Sequence, residues 1–105
     1  MLATLEKIKR LEQYLSVNQV TVDPVLDQSI DKILAREQGR LHEMQLRLSA
    51  QITEFENQYQ MTSENFSQKY QAGMLGDDID FIEWAATLDM LANIDIQLSL
   101  LSPAA

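Results

Sequence analysis

Apolar side chains recur every eleven residues between Val25 and Tyr59. Three rows have this spacing: Ile30, Leu41 and Ile52; Ile33, Met44 and Phe55; and Leu26, Glu37, Leu48 and Tyr59. Eleven residues in three turns give about 3.67 residues per turn, which is close to a relaxed α-helix and differs from the seven-residue repeat of a coiled coil. The pattern predicts one nearly straight helix over about residues 24–60, roughly 55 Å long.

Local signals predict three further helices. Apolar residues three or four apart favour a first helix over about residues 2–16, followed by a β-branched and polar linker that extends to residue 22. Asp23 and Pro24 are a typical helix start. Thr62 or Ser63 can cap a short helix over about residues 64–72, and Gly73 suits its end. Asp77 and Asp78 precede a final helix over about residues 78–101, and Ser102 and the residues after it form a frayed end.

The expected fold is all-α, because the chain has only three glycines and two prolines in 105 residues. We predict a single helical domain, 1–105, with an N-terminal helix and linker over 1–22 and an antiparallel helical hairpin over 23–101. The short helix forms the corner of this hairpin, and the apolar stripe from Phe81 to Leu101 faces the long helix. Six of the seven aromatic residues then form one structural cluster: Phe55, Tyr59, Phe66, Tyr70, Phe81 and Trp84.

The long helix has more apolar surface than a chain of this length is expected to cover. This favours a protein partner or self-association, with a dimer as the simplest homo-oligomer. The predicted partner-binding residues are Leu26, Ile30, Ile33, Glu37, Leu41, Met44 and Leu48. Glu37 has two interpretations, either the exposed edge of the stripe or a polar residue that sets the register of an interface.

The net charge of −8 is unevenly distributed. Residues 1–40 contain six basic and six acidic side chains, whereas residues 41–105 contain two basic and ten acidic ones. Acidic surfaces repel phosphate backbones, so direct binding of nucleic acid is not expected. A basic protein is the natural complement, although acidic surfaces also serve solubility alone.

No reaction is indicated by the residues. Asp77, Asp78, Asp80 and Glu83 do not have the spacing of a calcium loop and are explained as helix caps, and His42 has no evident catalytic neighbours. The chain contains no cysteine, no phosphate-binding glycine motif, no run of apolar residues that could span a bilayer and no signal-peptide pattern. We therefore expect a cytoplasmic protein that is not an enzyme and has no metal or cofactor.

Several segments resemble a known class of proteins. They are residues 55–66 (FENQYQMTSENF), Tyr70, Gly73, residues 75–78 (LGDD) and residues 80–84 (DFIEW), with a looser likeness over residues 23–48 that is clearest at residues 35–37 (ARE). These residues resemble small acidic helical proteins of cyanobacteria, other bacteria and archaea that are encoded beside small toxin-like proteins. Such proteins look like the antitoxin components of toxin–antitoxin modules.

The resemblance implies a protein that neutralises a basic partner, encoded by a neighbouring gene, by laying a helix along it. It implies no catalytic residues, and the chain has no evident DNA-binding motif. The function expected from the sequence is therefore that of a non-catalytic, helical protein-binding module. The alternative is a structural or adaptor protein that forms a helical-bundle homodimer.

Overall fold

The computed structural model describes residues 2–17 and 23–103. This part of the chain forms four helices and no strand: α1 (Leu2–Val17), α2 (Pro24–Tyr59), α3 (Ser63–Gln71) and α4 (Ile79–Leu101). The predicted all-α fold is confirmed, and each helix begins and ends within one residue of its predicted position. Most of the predicted linker, residues 18–22, lies outside the described residues, as do residues 104 and 105 of the predicted frayed end.

Side-chain caps explain where the helices begin. A carboxylate oxygen of Asp23 accepts a hydrogen bond from the backbone N–H of Val25 at 3.0 Å, just before α2. Asp78 accepts one from the N–H of Asp80 at 2.9 Å, at the start of α4, and the hydroxyl of Thr62 caps α3 in the same way. Each cap satisfies a backbone donor that has no partner within its helix.

Left-handed residues end α2 and α3. Gln60 has a φ of 51° and Gly73 a φ of 71°. The N–H of Met61, the residue after Gln60, donates to the carbonyl of Glu56 at 3.1 Å. This is the Schellman arrangement, which reverses the chain sharply and satisfies a carbonyl of the last helical turn.

The chain divides into two compact units, Met1–Ala35 and Arg36–Ala105. The single domain expected from the sequence stays a prediction. The boundary between the units lies within α2, whereas the predicted subdivision lies at the break between the first two helices. The reason for the difference is that compactness depends on which side chains pack together, and a continuous helix can take part in two such groups.

In the second unit, α4 packs antiparallel to α2. Gln38 Nε2 donates to the carbonyl of Leu101 at 2.9 Å, and Gln45 Nε2 donates to the carboxylate of Asp95 at 2.8 Å. The earlier residue of α2 contacts the later residue of α4, so the two helices run in opposite directions. Around these contacts, one core cluster contains Leu41, Ile94, Leu98, Met44, Leu48 and Leu101. The predicted hairpin of α2 and α4 is confirmed.

Replacement of Leu41 by alanine tests this packing. Leu41 is 4% exposed, so Leu41→Ala leaves a cavity and should lower the free energy of unfolding by about 2–5 kcal/mol. Leu46 lies on the same helix and is 71% exposed, so Leu46→Ala should change it by less than about 0.5 kcal/mol. Urea denaturation measures both values, and equal losses in the two variants would contradict the hairpin packing.

Candidate interaction surfaces

Six aromatic side chains lie together where α2, α3 and α4 meet, and they are the six that the sequence analysis grouped. The indole of Trp84 stacks on Phe66 with ring centroids 4.0 Å apart and planes 6° apart, and it also stacks on Phe55 at 5.6 Å. Tyr59, Tyr70 and Phe81 surround this stack. Trp84 and Phe66 are fully buried, so the cluster is a structural core rather than an open ligand pocket.

Polar contacts attach α3 to both of its neighbours. The indole N–H of Trp84 donates to the hydroxyl of Ser63 at 3.1 Å. The backbone N–H of Ser63 donates to the carboxylate of Glu56 at 2.8 Å. Among the described residues, no buried side-chain nitrogen or oxygen lacks a hydrogen-bond partner. This cluster therefore leaves no buried polar group available for a ligand.

A hydrogen bond between Tyr59 and Asp80 connects the end of α2 to the first turn of α4. The phenol of Tyr59 donates to Asp80 Oδ2 at 2.5 Å. This bond raises the pKa of Tyr59 from 10.0 to about 12, with further contributions from partial burial and from the charges of Asp80 and Asp78. The cause is that ionisation of the phenol would remove the donated proton and place a second negative charge beside the carboxylate.

On α4, a band of exposed large apolar residues lies outside the stripe that packs against α2. We call it the outer face of α4, and its large apolar residues, each at least half exposed, are Ile79, Ile82, Met90, Ile96 and Leu100. At about 100° per residue they fall within an arc of roughly 120°. A helix at the surface of a monomer normally has a polar outer face, so this one has the composition of a helix covered on both sides.

The outer face of α4 was not predicted from the sequence, because only one apolar stripe was assigned to the final helix. The sequence does contain a pattern that indicates this face. Ile82, Met90 and Leu100 fall outside the apolar stripe that contains Trp84 and Leu98. Apolar residues on both sides of a helix indicate two contacts, and the hairpin accounts for only one of them.

The charged side chains of α4 are all negative. The segment of α4 contains Asp80, Glu83, Asp89 and Asp95 and no basic residue. The whole second unit contains eleven acidic and four basic side chains, a net charge of −7. Within residues 2–17 and 23–103, the one ion pair joins Arg40 and Glu37 at 2.9 Å. The carboxylates of α4 are therefore not neutralised by cations in this part of the chain.

The seven predicted partner-binding residues of α2 fall into three groups. Leu41, Met44 and Leu48 pack against α4 of the same chain. Leu41 is buried there, whereas Met44 and Leu48 are half-buried and also line a surface groove with Arg47 and Gln51. Glu37 is half-buried and lines a groove of about 240 Å³ that it shares with Leu100 of the outer face. The others, Leu26, Ile30 and Ile33, belong to the first unit. Their role in binding a partner stays a prediction.

The first unit contains no buried side chain among its described residues. Its half-buried apolar residues are Leu11 and Leu15 of α1 and Leu26 and Ile30 of α2. Seven of its large side chains are at least half exposed, namely Leu2, Leu5, Ile8, Tyr14, Val17, Val25 and Ile33. The unit thus has two helices with apolar stripes but no closed core.

Groups considered for catalysis or metal binding do not converge. His42 is exposed and contacts Gln45 of its own helix at 3.3 Å. In the described ranges, no three histidine, aspartate or glutamate side chains are grouped so that they could hold a metal ion. Over the same residues, no helix combines the length and the apolar character needed to cross a membrane.

Comparison with known proteins adds no relative. No protein-family model matches the chain, and no curated protein or solved structure shows significant similarity to it.

Titration of Tyr59 tests the contact between α2 and α4. A phenol with a raised folded-state pKa stabilises the fold below pH 10, and this contribution is lost as the pH rises towards 12. Asp80→Ala removes the acceptor and its charge, so the pKa of Tyr59 should fall towards 10.0. The ultraviolet absorbance of tyrosinate follows the change. Tyr70→Phe is the control, and it should leave the tyrosinate titration step at the highest pH in place. If Asp80→Ala also left that step unchanged, the assignment of the step to Tyr59 bonded to Asp80 would be contradicted.

Proposed function

We propose that this protein is a non-catalytic helical binding protein whose second unit binds a basic protein partner along the outer face of α4. The observation that carries the proposal is that this face is apolar in a helix whose only charged residues are acidic. Apolar contacts would supply the buried area, and the carboxylates would select a basic partner and steer its approach.

The apolar part of the surface is suited to a helix or a similarly narrow element. Ile79, Ile82, Met90, Ile96 and Leu100 extend over most of the 23 residues of α4. The groove beside Leu100 continues the surface as far as Glu37 and Arg40 of α2. An amphipathic helix laid along this line would bury its apolar side chains between those of α4, in the manner of helix-in-groove recognition.

The electrostatic part of the proposal depends on carboxylates without neighbouring cations. Asp80 and Asp95 accept hydrogen bonds from the neutral side chains of Tyr59 and Gln45, and neither forms an ion pair among the described residues. Glu83 and Asp89 are exposed on α4. Lysine or arginine residues on a partner would meet these charges without displacing an internal ion pair of α4.

The resemblance to antitoxin components suggests which protein this surface would bind. We propose that the partner is a small basic toxin encoded by a neighbouring gene, and that the outer face of α4 covers part of its active surface. A protein of this kind needs no catalytic group, because it inhibits by occupying the partner's surface.

Binding to the neighbouring gene's product should depend on the outer face of α4. Ile82→Glu and Leu100→Glu place a charge in the proposed contact, so each should weaken the affinity at least tenfold. Leu46→Glu is the matched control, because Leu46 is an exposed apolar residue of the same unit that faces away from α4. Co-purification at physiological salt followed by calorimetry measures the affinities, and circular dichroism checks that the variants remain helical.

In cells, the neighbouring protein alone should arrest growth, and co-expression of this protein should restore it, whereas the Ile82→Glu variant should restore it poorly. Failure of the two wild-type proteins to co-purify would refute the proposal. Equal binding by Ile82→Glu, Leu100→Glu and Leu46→Glu would refute the assignment of the surface.

A further inference from the structure

The contacts within the first unit bury little apolar surface. The unit consists of the 16 residues of α1 and the first turns of α2, and none of its described side chains is buried. In proteins, most of the stability of a helix comes from the packing of its apolar face against other elements. The half-buried Leu11, Leu15, Leu26 and Ile30 supply only part of such packing.

Charge distinguishes the first unit from the second as a surface for self-association. The first unit contains four basic and five acidic side chains, a net charge of −1, whereas the second has a net charge of −7. Two copies brought together through their second units would place two strongly negative surfaces side by side. Two first units would meet with little net repulsion.

The charges within the first unit are also separated between its two helices. Helix α1 contains three basic residues, Lys7, Lys9 and Arg10, and two acidic ones. The start of α2 and its cap contain three aspartates, Asp23, Asp27 and Asp31, and one lysine. A two-fold arrangement that places α1 of each copy beside α2 of the other would therefore pair a mainly basic helix with a mainly acidic one, twice.

We propose that the first unit is a dimerisation module in which two copies of this chain form a four-helix bundle. In it, α1 of each copy packs against the start of α2 of the other, and exposed residues such as Leu5, Ile8 and Ile33 enter a shared core. This inference concerns a different surface from the outer face of α4 and does not depend on the proposed function.

Sedimentation equilibrium tests the dimer and locates its interface. The wild-type protein should have about twice the chain mass of 12.0 kDa. Ile8→Glu and Ile33→Glu should each raise the dissociation constant at least tenfold, because both side chains are more than half exposed within one chain and would be buried in the bundle. Leu46→Glu, a matched change in the second unit, should leave the dimer intact.

Fluorescence of the single tryptophan separates dissociation from unfolding. Trp84 is buried in the second unit, so its thermal transition reports on that unit alone. The transition should persist in Ile8→Glu while the mass falls to that of the monomer. A wild-type monomer at all concentrations, or equal dissociation by Leu46→Glu, would overturn the proposal.

A charge exchange tests the arrangement of the helices. One variant carries Lys7→Glu and Arg10→Glu, and the other carries Asp27→Lys and Asp31→Lys. In either homodimer the facing helices would have like charges, so each variant alone should dimerise at least tenfold more weakly than wild type. In the equimolar mixture every α1 would face a start of α2 of opposite charge across the interface between the copies, so a heterodimer should form. A mixture that stays as monomeric as its components would overturn the proposed pairing.

Discussion

The stacking of Trp84 on Phe66 and Phe55 is the contact on which the arrangement of the second unit depends. It buries the largest side chain of α4 against residues of α2 and α3, and the bond from the indole N–H to Ser63 sets the orientation of the ring. With the first turns of α4 held in this way, the rotation of the helix about its axis is determined. One side of α4 then covers Leu41 and its neighbours, and the opposite side faces outward with its apolar residues exposed.

The polar contacts between α2 and α4 have a consequence for charge. The carboxylates of Asp80 and Asp95 are held by a phenol and an amide rather than by lysine or arginine. A neutral donor satisfies a carboxylate oxygen without cancelling its charge. The hairpin is therefore closed by hydrogen bonds that leave the negative potential of α4 largely in place, which is the property that the proposed basic partner would use.

The two proposals assign different tasks to the two units. The second has a closed core and an exposed face of one charge sign, which suits recognition of a different protein. The first has mixed charges and no buried side chain among its described residues, which suits association with its own copy. The long helix α2 belongs to both units, so recognition and dimerisation would be combined in one chain without a separate connecting domain.

The sequence alone determined the helices, because their signals are local. The eleven-residue rows, the caps at Asp23 and Asp78 and the left-handed Gly73 depend on neighbours within a few turns, and all correspond to elements of the structure. The grouping of the aromatic residues also followed from the order of the helices, because a hairpin brings the end of one helix to the start of the next.

Only the tertiary structure decided which apolar face is covered and which remains exposed. Periodicity shows that Leu41 and Leu48 share a side of α2, and that Ile82 and Met90 share a side of α4. It does not show that the first pair lies against α4 while the second pair remains exposed. That choice depends on the packing of side chains far apart in the chain, above all around Trp84, and so does the division of α2 between two units.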